Sequence, residues 1–400
     1  MNGSANQERP SRTRLGRVLT SGRALAPEWA PAFTAVPRAA FLPEVIWPFD
    51  METGEAVAVS RSESAAVWHG YADSDVPLVT QWDDGSEAFE VDGEGRAGRA
   101  PGRVATSSSS MPSVVFPMLN DLDLRPGNRV LEIGTGTGWT AALMAYRAGV
   151  KNIVTMEVDT AVAEQARVAL NAFGSPVQVV ARDGLDGYPE GGPYDRIVAT
   201  CGIRSVPAAW LQQCRPGGLI VAPWGTRYSY GDAVARLVVA EDGQSATGPF
   251  TRPVEFMKAR SQRFTPKEHA QYVDNPSVHN SKSETTIAEA DFLGDRFSPQ
   301  RFTLGLKLRD CTHVVAEKAD GRRPLWLYSL SDRSWACVAF KDGAPATVWQ
   351  SGFRRLWDEA RTAYEWWVDQ GRPGYERLGL TVTLGGQRAW LDDPAESWPI

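Results

Sequence analysis

The stretch "VLEIGTGTGWT", Val130 to Thr140, decides the fold. A short strand-like run leads into Gly134, Gly136 and Gly138, and a helical pattern occupies residues 138 to 148. Glycines at a strand-to-helix turn remove side chains where backbone must approach a ligand closely. A dinucleotide fingerprint, GxGxxG, needs glycine at position 139, where this chain has Trp139. The spacing is therefore ExGxGxG, starting at Glu132 and including Thr135, which suits a ligand without a pyrophosphate.

Downstream, "NIVTMEV", "VQVVARD", "YDRIVAT" and "GLIVAPW" are continuous apolar runs of the kind found in strands covered on both faces. Helical patterns at 138 to 148, 160 to 173 and 207 to 214 separate them, the second stopped by Gly174. This alternation predicts a doubly wound, Rossmann-like parallel α/β sheet. Glu157 ends the second strand, about 20 residues beyond the glycines, where an acid accepts hydrogen bonds from ribose hydroxyls. Asp183-Gly184 ends the third, where a carboxylate can accept from an adenine amino group. Together they describe a nucleoside at the carboxyl ends of parallel strands. The bland alternatives are a glycine turn closing an ordinary βαβ unit and carboxylates that are merely solvated.

Upstream lies "RVATSSSSMPSVVFPML", Arg103 to Leu119. By itself a serine tract reads as a flexible connector. A helix should follow, with Ser110 as its N-cap, Pro112 in its first turn, and Val115, Met118, Leu119 and Leu122 recurring at i, i+3, i+4 and i+7.

Further out, residues 1–28 read as a disordered amino terminus and Trp29 to Leu42 as a short helical segment. Residues 83–103 are rich in Gly and Asp and read as a surface insertion. The catalytic domain is expected over 29–262, with "RLVVAEDGQSATGPF" a hairpin turning at Asp242-Gly243. A polar linker over 263–300 should lead to a C-terminal α+β extension, 301–400. Eight of the 15 tryptophans fall at or after Trp326, which makes this extension an aromatic-rich module. Its helix over 353–369 carries Leu356, Ala360, Tyr364 and Trp367 on one stripe, fit either to grip a peptide or to form the module's own core.

Composition removes several function classes. Net charge is -6 and no Lys/Arg block exists, which argues against a nucleic-acid partner. The polar first dozen residues fit neither a secretory signal nor an anchor, and no apolar run reaches membrane-span length. Four cysteines are scattered without CxxC spacing among only four histidines, so neither a metal site nor a disulfide framework is expected, and the cytoplasm is the expected compartment.

The whole arrangement resembles class I S-adenosylmethionine-dependent methyltransferases, and within them the protein-L-isoaspartate O-methyltransferase family. "AVPRAAFLPE" resembles the family's VPR-x-x-F-V-P-E, "YADSDVPL" its Y-x-D-x-P-L, and "YDRIVATCGIRSVPAAWLQQCRPGGLIVAPWG" its fourth and fifth strands. The distance from the glycines brings Ser108 to Pro112 into register with the family's T-I-S-x-P. The resemblance, over residues 30 to 260, implies that Ser110 is the active-site serine, that Ser108 stands for the threonine, and that the serine run faces substrate. It implies S-adenosyl-L-methionine as cofactor, held by Glu132, Gly134, Thr135, Gly136, Gly138, Glu157, Asp183 and Gly184. Ser109 and Met111 depart from the family pattern.

Because the repair enzymes of this family are normally one domain, the tail should have no counterpart in them. The full chain instead resembles longer actinobacterial homologues associated with ribosomally made peptides cyclised by ATP-grasp ligases, the graspetides. That likeness implies a modified precursor peptide as partner and methylation of its aspartate, the ester collapsing to an aspartimide. Isoaspartyl repair, small-molecule O-methylation and a cofactor-dependent peptide-binding scaffold are the alternatives.

Overall fold

Val130–Ile133 is buried at all four positions, as only a strand covered on both faces allows. The computed structural model describes residues 9–85, 104–265, 267–273 and 281–400. It divides into two units: Met1–Cys201 with Pro207–Val221 and Glu241–Gly243, and Gly202–Val206 with Ala222–Ala240 and Gln244–Ile400.

The first unit begins with α1 (Pro10–Ser21), α2 (Ala30–Ala35), β1 (Val45–Pro48), β2 (Val59–Ser60), α3 (Ala65–Ala72), β3 (Leu78–Trp82) and β4 (Ala105–Ser109). Its strands form a sheet in the order β2-β1-β3-β4. Next come α4 (Pro112–Asp121), β5 (Val130–Ile133), α5 (Trp139–Ala148), β6 (Ile153–Glu157), α6 (Thr160–Phe173), β7 (Gln178–Ala181), β8 (Tyr194–Ala199), α7 (Ala208–Gln213) and β9 (Cys214–Trp224). Strands β7-β6-β5-β8-β9 neighbour one another in that order, all parallel. The order reverses at β5, which opens a ligand crevice beyond its carboxyl end. Helix α6 illustrates how local signals suffice here. Asp159 accepts hydrogen bonds from the backbone N–H of Ala161 and Val162, Gly174 ends the helix at φ 82°, and Val162, Ala163, Ala166 and Leu170 form the buried stripe. Each large apolar side chain buried this way contributes about 1.5–3 kcal/mol.

The second unit contains β10 (Asp232–Val239), β11 (Ser245–Val254), α8 (His269–Tyr272), β12 (Ser281–Thr285), α9 (Glu289–Leu293), α10 (Pro299–Lys307), β13 (Cys311–Val315), β14 (Arg322–Ser329), β15 (Trp335–Lys341), β16 (Ala344–Ser351), α11 (Leu356–Asp369), β17 (Leu378–Thr383), β18 (Gly386–Leu391) and β19 (Ser397–Pro399). Strands β10 and β11 pair antiparallel on either side of Asp242-Gly243, as the sequence predicts. A five-stranded sheet runs β12-β16-β15-β14-β13. Leu325, Leu327, Val338 and Val348 of that sheet pack with Trp357, Ala360, Tyr364 and Trp367 of α11 in one core.

Three expectations change. Residues 10–21 are helical rather than disordered: Leu15 and Leu19, one turn apart, are buried, and Arg9 and Ser11 bond Asp73. Charged neighbours had hidden that apolar pair; residues 1–8 lie outside the described set. Of the expected linker 263–300, residues 281–300 belong to the folded unit, since β12 joins the sheet and Phe292 and Leu293 are buried in its core; 266 and 274–280 lie outside the described residues. The expected catalytic span 29–262 crosses both units, since 222–240 and 244–262 cluster with the second. The α11 stripe is that unit's core, so it does not grip a peptide; Trp366 beside it instead packs against Lys307 and Trp398. Of the expected insertion, Asp83–Gly85 forms a short turn and 86–103 lie outside the described residues.

Candidate active site

The crevice residues come together at the carboxyl ends of β5, β6 and β7. Gly134, Gly136 and Gly138 have φ of 97°, 53° and 86°, a region open to glycine and strained for other residues. A Cβ on Gly134 would stand 3.0 Å from Thr200 Oγ1, and one on Gly136 would stand 3.2 Å from the Ser108 carbonyl oxygen. The glycine loop therefore lies directly against the serine strand. Glu157 Oε2 accepts the Gly136 N–H at 3.0 Å, so the carboxylate that ends β6 is turned onto the same loop. Asp183 caps the turn after β7 by accepting from Leu185 N–H at 3.0 Å. Gly184 is obligatory for packing, since a Cβ there would meet Ile133 Cγ2 at 2.4 Å.

Glu132 is fully buried. Its Oε2 accepts from Thr155 Oγ1 at 2.7 Å, and Thr135 Oγ1 lies 2.7 Å from Thr155 Oγ1. Its Oε1 has no hydrogen-bond partner. Burial pushes the carboxyl up to about 8, opposed by the Thr155 bond and reinforced by the Glu157 charge. The Thr135 hydroxyl is thus turned into the interior, while its backbone N–H donates to the Met156 carbonyl and its carbonyl accepts from Gly138 N–H, which fixes the loop. An unfilled buried acceptor beside a loop that excludes Cβ atoms fits a cofactor with a cationic amine and a nucleoside, as S-adenosylmethionine has.

The serine run differs from expectation. Residues 107–109 are part of β4, which pairs antiparallel with β3 through Leu78↔Ser109 and Val79↔Ser108. Ser107 and Ser109 are buried, whereas Ser108 and Ser110 are half-buried, the alternation of a strand. Ser110 is not the N-cap of α4; that position is Met111, without a side-chain cap, and Pro112 begins the helix. Strand pairing holds the serines extended up to the proline. Three residues escaped the sequence reading. Gln81 donates to Asp159 Oδ2 at 3.0 Å and accepts from Thr106 Oγ1 at 2.8 Å, linking β4 to the start of α6. Thr155 was marked only by its hydroxyl within an apolar strand. Arg38, inside the VPR segment, is buried and bonded to Ser109.

Residues 100–263 match the family model of protein-L-isoaspartate(D-aspartate) O-methyltransferase. A protein-L-isoaspartate O-methyltransferase of Ignicoccus hospitalis is 41% identical over 121 residues, 30% of this chain and 57% of the relative. One of Methanocella arvoryzae is 43% identical over 118 residues, 29% of this chain and 63% of the relative. The chain thus spans about three fifths of their length. A solved structure titled protein-L-isoaspartate O-methyltransferase shares the fold, with TM-score 0.52 and 22% identity, over 96% of this chain and 100% of its own. Coverage of that extent corrects the expectation that the tail has no counterpart in a protein so titled. Among the described residues no helix is long and apolar enough to cross a membrane.

Proposed function

We propose that this chain is an S-adenosylmethionine-dependent methyltransferase that esterifies a side-chain carboxylate in a peptide. The observation that carries the reading is the contact of the Ser108 carbonyl with Gly136, because it sets the serine strand on the edge of the cofactor cradle. When bound, S-adenosylmethionine supplies an electrophilic methyl group. Glu132, the glycine loop, Glu157 and Asp183-Gly184 would hold it. A carboxylate with a reference pKa near ~4 is ionised at neutral pH and needs no general base. The protein's work is then positioning, for which effective molarities reach roughly 10⁵–10⁸ M. Ser110 would donate a hydrogen bond to the non-attacking carboxylate oxygen and hold it in place, and Ser108 would line the approach.

An aspartyl methyl ester is an activated acyl group. The following backbone amide nitrogen attacks it, the C–O bond to methoxide breaks, and methanol leaves with the amide proton, giving a succinimide. We infer that the acceptor is a defined aspartate in a modified ribosomal peptide and that the aspartimide is the product. Met111, which follows Ser110 and departs from the family pattern, supports this narrower reading. Isoaspartyl repair is the second reading, favoured by the likeness to the isoaspartate methyltransferases of Ignicoccus hospitalis and Methanocella arvoryzae.

Mass spectrometry of methyl transfer separates them. A generic isoaspartyl peptide is compared with the cyclised product of a precursor gene adjacent to this one. Gain of a methyl group followed by loss of methanol on the cyclised peptide alone is the expected result; turnover of the isoaspartyl peptide alone returns the protein to repair. Ser110→Ala should lower turnover about tenfold, the value of one hydrogen bond to a charged group, and leave cofactor affinity unchanged. If neither peptide gains a methyl group, the carboxylate assignment fails.

A further inference from the structure

Arg38 stands behind the serine strand rather than in the crevice. Its side chain is buried, 4% exposed. Nε donates to Ser109 Oγ at 2.9 Å, and Nη2 donates to the Ser109 carbonyl at 2.6 Å and to the Val76 carbonyl at 3.0 Å. Nη1 donates to the Ser74 carbonyl at 3.2 Å. The guanidinium also lies 5.7 Å from the ring centroid of Trp139, the residue that follows the last loop glycine. Trp139 in turn donates Nε1–H to the Val36 carbonyl at 3.1 Å. Asp75 Oδ1 accepts the Ser113 N–H at 2.8 Å, fixing the start of α4 from the same side. One short segment, Val36 to Arg38, therefore grips both the serine strand and the first residue of α5.

The facing matters. Ser107 and Ser109 point to the buried side of β4, and Ser108 and Ser110 alternate with them. We propose that Arg38 is a positioning residue: by holding Ser109 through both its hydroxyl and its carbonyl, it sets where Ser108 and Ser110 stand over the cofactor cradle, a role that rests on the serine assignment above. Ser109 then has a purpose that an aliphatic residue cannot serve, since only a hydroxyl accepts the Nε–H. Burial pushes the Arg38 pKa down to about 9, against the charges of Asp75 and Asp73, which leaves the group cationic at neutral pH. A lysine cannot substitute, because a compact ammonium lacks the planar fork that spans four acceptors.

The test uses the full chain with Arg38→Lys, Ser109→Ala and Ser110→Ala. Three quantities are read: S-adenosylhomocysteine affinity by calorimetry, kcat and KM on the peptide that the wild type turns over, and amide hydrogen exchange across 105–111. Arg38→Lys should lower kcat by about tenfold to a hundredfold, as small misplacements of positioned groups do, with cofactor affinity unchanged and faster exchange in 105–111. Ser109→Ala keeps the bond to the carbonyl and should fall between wild type and Arg38→Lys. Cofactor affinity dropping in step with kcat would make Arg38 a general support of the fold and overturn the proposal. So would wild-type kcat and exchange in both variants. If Ser110→Ala is silent while Arg38→Lys still loosens 105–111, the serine assignment fails and the hold by Arg38 stands.

Discussion

Replacing Glu132 with glutamine tests the electrostatics of the crevice. The carboxyl is fully buried, and its pKa rises from 4.5 to about 8, chiefly through burial. The native state therefore binds a proton that the unfolded chain releases above pH 4.5, and stability falls as pH rises. The contribution is complete below the unfolded pKa and is lost as pH passes through 8. Between pH 5.5 and 8 the loss comes to about 3 kcal/mol, at roughly 1.4 kcal/mol per pH unit until the upper pKa is approached. In a body of this size that equals about 6–12 °C in Tm. Glutamine, which mimics the protonated acid, should remove this part of the slope. The assay is thermal unfolding of both proteins without cofactor across that range, where their difference cancels the other titrating groups. A second arm measures S-adenosylhomocysteine binding at pH 7 in buffers of different ionisation enthalpy: if a ligand amine draws the carboxyl into its charged form, the wild type releases close to one proton and the variant none. Parallel Tm curves from pH 5.5 to 8 would show that Glu132 is ionised throughout, and the reasoning from burial would be wrong.

Two further outcomes are expected. Glu157→Ala removes the carboxylate that orders Gly136 and is assigned to the ribose; S-adenosylhomocysteine affinity should fall tenfold or more, since bonds to a charged group contribute about 1.5–3 kcal/mol, and unchanged calorimetric affinity rejects the role. Trp357→Ala empties the centre of the second unit, where the ring is 1% exposed and packs 4.8 Å from Phe292, so chemical denaturation should report a loss of about 3–5 kcal/mol; a loss under about 1 kcal/mol would mean that this core repacks readily.

The amino-acid order by itself determined the parallel sheet, its helices and the glycine loop. Those features rest on local causes: β-rich apolar runs, a helical stripe closed by Gly174, and glycines spaced within one turn. The same holds for the hairpin at Asp242-Gly243 and for the strands of the tail. Only the tertiary structure decided what the serine run is. A polar tract has no periodicity of its own, and β4 becomes a strand because β3 pairs with it across an intervening segment. Long-range contacts also decide the roles of Arg38 and Trp139, whose partners Ser109 and Val36 lie 71 and 103 residues away. The amino-terminal helix and residues 281–300 were misjudged for the complementary reason. Each carries few apolar groups, and these count only once another segment covers them, as Asp73 anchors the first and β16 pairs with the second. Geometry that depends on spacing along the chain was legible in the sequence; properties that depend on burial, such as the raised carboxyl pKa of Glu132, required the fold.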